Sequence, residues 1–135
     1  MKIFLDTADV KEIYNRLGTG LIDGVTTNPT LIMKSHRKPD DVYHELITMG
    51  VNDISMEVVG SATDMFKEGL RLYDLFGYEA TIKVPCTPDG LMACKELANK
   101  GIRVNVTLIF NSAQAVMASK AGAYYVSPFV GRLDD

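Results

Sequence analysis

A single lysine interrupts the apolar run Ala80-Thr81-Ile82-Lys83-Val84-Pro85, and lysines are seldom buried without a partner. Period-2 alternation puts Lys83 on the face opposite Ile82 and Val84, so if those two pack outward the amine points into the interior. Burial penalises an ammonium ion, and a neutral amine can attack a carbonyl carbon to form a Schiff base. An ion pair with Asp6 or Glu57 accounts for the same lysine without catalysis. Residue types alone leave both readings open.

Schiff-base chemistry also needs an acid/base group and a way to handle water. Asp6 and Glu57 are the carboxylates best placed for that, although a salt bridge would explain each of them equally well. Asn28 lies in Thr26-Thr27-Asn28-Pro29-Thr30, where Asn-Pro favours a turn and a binding role is compatible with it. Asn105, Thr107 and Ser127 complete a set of polar residues at the ends of short apolar runs.

Those runs are residues 2–6, 21–25, 53–58, 80–84, 103–107 and 124–126, and they predict six strands with room for one helix in each interval. The intervals carry helical spacing: Val10, Ile13, Tyr14 and Leu17 in the first, and Ala62, Met65, Phe66, Tyr73 and Phe76 in the third. Ser61 with Asp64 forms a capping pattern, and Thr87-Pro88 offers an N-cap followed by a first-turn proline. Asp40 and Asp41 favour the positive end of a helix over residues 42–49.

Six βα units imply a parallel sheet with right-handed crossovers. The site candidates decide between a barrel and an open doubly wound sheet. Asp6, Asn28, Glu57, Lys83, Asn105 with Thr107, and Ser127 each fall at or just past the carboxyl end of a different strand. In a barrel those ends share one mouth, whereas an open sheet spreads them along an edge. No G-x-G-x-x-G follows a strand to support a dinucleotide site. The fold class expected is therefore α/β of the (β/α)8 TIM-barrel type, with about the first six βα units in one domain over residues 1–135. A complete barrel typically runs to about 250 residues, so the expectation is a truncated or C-terminally incomplete barrel, or one that another chain closes.

The 135 residues are 47% hydrophobic and 23% charged, with 14 basic and 17 acidic side chains and a formal charge of −3, ordinary globular composition without a basic cluster. Nucleic acid is a poor partner for such a surface. No apolar run approaches the roughly 18 residues of a membrane span, and Asp6 comes too early for a signal peptide, so no membrane association and a cytoplasmic location are expected. Cys86 and Cys94 are not in a CxxC arrangement and have only His36 and His44 beside them, which gives no zinc ligand set and reads as two reduced, mostly buried thiols.

Two long motifs resemble those of one family. Gly24-Val25-Thr26-Thr27-Asn28-Pro29-Thr30-Leu31-Ile32 is similar to the first transaldolase signature, and Ile82-Lys83-Val84-Pro85-Cys86-Thr87-Pro88-Asp89-Gly90-Leu91 to the second, which holds the Schiff-base lysine. The resemblance continues through Asn105-Val106-Thr107-Leu108-Ile109-Phe110 and Ser127-Pro128-Phe129-Val130-Gly131-Arg132. It covers essentially the whole chain and is greatest to the short bacterial and phage-type subfamily, to which the fructose-6-phosphate aldolases also belong.

The resemblance implies a class I mechanism with no metal and no organic cofactor, in which a dihydroxyacetone unit moves between sugar phosphates in the pentose phosphate pathway. Lys83 would carry the unit, Asp6 would act as the general acid/base, and Glu57 and Thr107 would hold the water of imine chemistry. Thr27, Asn28, Asn105, Ser127 and Phe129 match substrate-binding positions, and Arg132 matches a phosphate ligand suited to a planar guanidinium. The family's aldolases place Gln at the position of Glu57 and Tyr at that of Phe129. Both residues here follow the transferase pattern, since a phenylalanine offers no proton to release free dihydroxyacetone. The resemblance further implies two more strands, a second set of phosphate contacts and helices that pack between subunits of a homo-oligomer. Three readings follow: a transaldolase, a fructose-6-phosphate aldolase, and an inactive fragment or assembly piece.

Overall fold

The computed structural model describes residues 1–129. Its elements are β1 (Phe4–Asp6), α1 (Val10–Leu17), β2 (Gly24–Thr26), α2 (Pro29–Lys34), α3 (Pro39–Thr48), β3 (Ile54–Glu57), α4 (Ala62–Phe76), a 3-10 turn (Gly77–Glu79), β4 (Ala80–Pro85), α5 (Pro88–Asn99), β5 (Val104–Ile109), α6 (Ser112–Lys120) and β6 (Tyr125–Pro128). The six strands form one parallel sheet in the order β1-β2-β3-β4-β5-β6. A doubly wound sheet would reverse direction part-way along that order; here each strand pairs with its sequence neighbours, as in a barrel.

The sheet is also strongly curled. Flat, with strands about 4.8 Å apart, it would separate β1 from β6 by about 24 Å. Instead the rings of Phe4 on β1 and Tyr125 on β6 meet edge to face, with centroids 5.4 Å apart. Six strands thus make most of a (β/α) barrel wall, with β1 and β6 facing one another across the concave side.

The two sides of this wall follow from strand alternation. Ile54, Met56, Ile82, Val84, Val104 and Val106 are fully buried, as are Ile13, Leu46 and Leu97 on the helices. On the alternate positions, Ser55, Thr81, Lys83, Asn105 and Thr107 are buried polar residues. Close approach needs glycine at two places. A Cβ on Gly24 would lie 2.5 Å from the Phe4 ring, and one on Gly90 would lie 1.9 Å from the Pro85 carbonyl oxygen, so β1 seals against β2 and α5 seats on the end of β4.

The capping signals hold. Ser61 and Asp64 form a reciprocal capping box on α4, and Thr87 caps α5 by accepting from the Gly90 amide. Three expectations need correction. The interval between β2 and β3 holds two helices rather than one, because Asn28 caps α2 by accepting from the Leu31 amide and Pro39 starts α3 three residues before Val42. Strand β2 begins at Gly24, not at residue 21, and Leu21 is exposed. Tyr14, read as part of the apolar face of α1, is 68% exposed; Ile13 alone in that helix is buried.

Candidate active site

Ladder register brings the polar residues together. Glu57 pairs with Lys83 and Lys83 with Asn105, so three adjacent strands present them in register, and Thr107 pairs with Ser127 two residues further toward the carboxyl end. Asp6 pairs with Thr26 on the next two strands, and Thr26 with Ser55. A cavity of about 330 Å3 at the carboxyl end is lined by Lys83, Glu57, Thr107, Asn28, Leu108 and Phe129, among others.

Lys83 is 7% exposed. Its Nζ donates to the Thr27 carbonyl oxygen at 3.1 Å and lies 3.9 Å from Glu57 Oε2. The ion pair allowed by the sequence is therefore present, but it is long and leaves the amine with a single close acceptor. Burial pushes the Glu57 carboxyl above its ordinary range; the Lys83 ammonium opposes that shift and the Asp6 carboxylate adds to it. A carboxyl that holds its proton more tightly than usual, beside a half-satisfied amine, is suited to imine formation and hydrolysis.

The other candidates take distinct places. Asp6 accepts from Thr26 Oγ1 at 2.9 Å and is exposed, outside the cavity lining but close enough to act on Glu57. Asn28 commits its Oδ1 to the cap of α2, which leaves its Nδ2 for ligand recognition. Thr27 is fully buried; its hydroxyl donates to the Ser55 carbonyl at 3.0 Å, so it meets Lys83 through its backbone rather than its side chain. Ser127 Oγ donates to Asn105 Oδ1 at 2.7 Å. Phe129 stacks on Phe110 with centroids 5.6 Å apart. Arg132 lies outside the described residues.

Thr107 sits beside an irregularity that its sequence does not announce. The register slips between Thr107 and Ile109, and the intervening Leu108 has φ +61°. A bulge of this kind re-aims the flanking side chains at a site, and a leucine adopts that conformation only where its surroundings impose it. Sequence reasoning also passed over Ser55, which is fully buried and accepts from Asn105 Nδ2 at 3.1 Å. Its signal was available: Ser55 stands two residues before Glu57, on the same face of β3.

Among the described residues no group of three or more His, Cys, Asp or Glu could hold a metal ion, and no helix is long and apolar enough to cross a membrane. Both cysteines are free thiols; burial raises that of Cys94 to about 11, well away from reactivity at neutral pH.

The carboxyl transferase domain of Rhizobium etli pyruvate carboxylase superposes on 93% of this chain and 26% of its own with a TM-score of 0.56 at 15% identity, a likeness that shows the fold alone. Proteins named probable transaldolase are far more similar in sequence: 51% identity for that of Nitrosopumilus maritimus (strain SCM1), 54% for that of Geobacter sulfurreducens (strain ATCC 51573 / DSM 12127 / PCA) and 50% for that of Aquifex aeolicus (strain VF5), each over the whole of this chain. The chain spans 61% to 63% of the length of these relatives. The family model described as Transaldolase/Fructose-6-phosphate aldolase matches residues 3–135, and the chain belongs to that family.

Proposed function

We propose that this chain carries the imine chemistry of a transaldolase, transferring a dihydroxyacetone unit from a ketose phosphate to an aldose phosphate. The observation that carries the reading is the buried Lys83 amine, held 3.9 Å from the Glu57 carboxyl within a cavity at the carboxyl ends of the strands. Lys83 Nζ attacks the ketose carbonyl carbon, and loss of water leaves a carbon-nitrogen double bond. Glu57 and Thr107 hold the water that leaves in this step and re-enters at hydrolysis.

Asp6 then takes the proton from the hydroxyl on the far carbon of the bond to be broken. That carbon becomes an aldehyde, the carbon-carbon bond breaks, and its electron pair moves into the three-carbon fragment as an enamine on Lys83. The acceptor aldehyde takes the enamine's electron pair to form the new bond while Asp6 returns the proton. Water finally releases the new ketose and the free amine. Asn28, Asn105 and Ser127 hold hydroxyls of the three-carbon unit, and Arg132 holds a phosphate.

The transferase reading over the aldolase one rests on Glu57 and Phe129. Phe129 packs flat against Phe110 and brings no hydroxyl to protonate the enamine. Substrates with phosphate groups, a homo-oligomeric assembly and a cytoplasmic location belong to the same proposal. Its test is incubation of the chain with fructose 6-phosphate, with and without erythrose 4-phosphate. The expected result is sedoheptulose 7-phosphate only when the acceptor is present, with little free dihydroxyacetone. Free dihydroxyacetone formed at equal rates without acceptor would reject transfer in favour of aldol cleavage. Neither product would mark the chain as inactive by itself.

A further inference from the structure

Beneath the cavity a row of buried polar atoms converges on Ser55. Its carbonyl oxygen accepts twice from Thr27, from the backbone amide at 3.2 Å and from Oγ1 at 3.0 Å. The Thr27 carbonyl in turn accepts from Lys83 Nζ at 3.1 Å. The Ser55 hydroxyl oxygen accepts from Asn105 Nδ2 at 3.1 Å, and Asn105 Oδ1 accepts from Ser127 Oγ at 2.7 Å. Ser55 and Thr27 are fully buried, and Asn105 is 2% exposed. Apart from that of the half-buried Ser127, these bonds are out of solvent and support one another.

We propose that Ser55 is a positioning residue of the site: its hydroxyl holds the Asn105 carboxamide in place, and its carbonyl fixes the peptide that anchors the Lys83 amine. An asparagine side chain has two chemically opposite ends, and rotation by half a turn about its last bond exchanges them. With Ser55 Oγ accepting from Nδ2, Oδ1 is left to accept from Ser127, whose hydroxyl is thereby turned toward Asn105. Either hydroxyl can donate or accept and would satisfy the flipped amide as well, so what the Ser55 bond sets is the place and plane of the carboxamide from which Asn105 meets a ketose hydroxyl. The two halves of the device are separable. Changing the Ser55 side chain removes the hold on Asn105 while the backbone bonds to Thr27, and through it to Lys83, remain.

The functional part of this inference rests on the transaldolase reading; the positional part does not. The experiment follows the side-chain amide protons of Asn105 by NMR on asparagine-labelled chain, together with borohydride trapping over a range of fructose 6-phosphate concentrations. In Ser55→Ala, exchange of the Asn105 side-chain protons with water is expected to quicken tenfold or more. The concentration needed for half-maximal trapping should rise severalfold, while the trapping rate at saturation stays within twofold. Ser55→Cys, which keeps the volume and weakens the acceptor, should fall between the two and guards against misfolding of the alanine variant. In an Asn105→Ala background, Ser55→Ala should change half-maximal trapping no further. Unchanged exchange in both Ser55 variants would overturn the proposal, as would equal and additive losses in the two backgrounds. Absence of trapping in the parent chain with quickened exchange in the variants would reject the transaldolase reading and uphold the positioning by Ser55.

Discussion

The two ends of the same six strands are built to opposite rules. At the amino end Asp53 is 4% exposed and its carboxylate accepts from Thr81 Oγ1 at 2.7 Å, Tyr125 OH at 2.7 Å and Arg103 Nη1 at 3.1 Å. Arg103 lies over the Tyr78 ring at 4.2 Å and donates to the Tyr78 carbonyl. The bonds join β4, β5 and β6 to the start of β3, and with the Phe4 ring against Tyr125 they close the floor of the barrel. At the carboxyl end Lys83 has one close acceptor and a long ion pair, Asp6 has one hydroxyl donor, and a cavity stands among them. Apart from the buried Arg103 Nε, which has no hydrogen-bond partner, the polar groups of the floor satisfy one another and hold; a mouth whose polar groups are partly unspent can bind and react.

That contrast can be broken from either end. At the mouth, Asp6→Asn should leave trapping of the ketose on Lys83 in place and lower carbon-carbon cleavage by about 10²–10⁴-fold, the usual worth of a positioned acid/base. Equal loss of trapping and cleavage, measured by intact mass and product formation, would remove that role from Asp6. At the floor, Asp53→Ala leaves Arg103 buried without its counter-ion and should cost about 3–5 kcal/mol in urea unfolding. A cost under about 1 kcal/mol would mean that the floor is not what holds the wall.

Two smaller effects sharpen the picture. Burial holds the Glu57 carboxyl above its ordinary value of 4.5, so the folded chain binds that proton more tightly than the unfolded one. Its contribution to stability is then present below the ordinary carboxylate range and lost as pH rises through the raised value. Glu57→Gln should therefore unfold at higher urea than the parent near neutral pH and lose that advantage near pH 4, roughly where the unfolded carboxyl titrates. A pH-independent difference would contradict the burial argument. Phe129→Tyr should give the mildest change, raising free dihydroxyacetone relative to transferred product; an unaltered ratio would remove Phe129 as the basis for preferring transfer.

How much of this was legible in the sequence differs between the same two ends. Lys83 announced itself because a charge broke an apolar run, and the capping residues of α4 and α5 announced themselves because their partners lie three residues away. The floor was silent by comparison: Asp53 finds Tyr125 across 72 residues and Arg103 across 50, and nothing local marks such a pair. Period 2 contained the information nonetheless. Counting back from Lys83, Asn105 and Ser127 leads to Thr81, Arg103 and Tyr125, and from Glu57 through Ser55 to Asp53. The second helix between β2 and β3 stayed hidden because Asn28 read as a turn, when in the structure the same carboxamide begins a helix. The Leu108 bulge had no sequence signal, since leucine is an unfavourable residue for positive φ and its conformation is set by tertiary packing.

The proposal turns on Lys83 forming an imine with a ketose. The measurement that tests it most directly is intact mass spectrometry of the purified chain and of Lys83→Met, each before and after borohydride reduction with fructose 6-phosphate. The account predicts one stable adduct on the 135-residue chain, none on Lys83→Met, and similar unfolding midpoints for the two, since methionine fills a similar volume. An adduct of equal yield on Lys83→Met, or none on a folded parent chain, would contradict it.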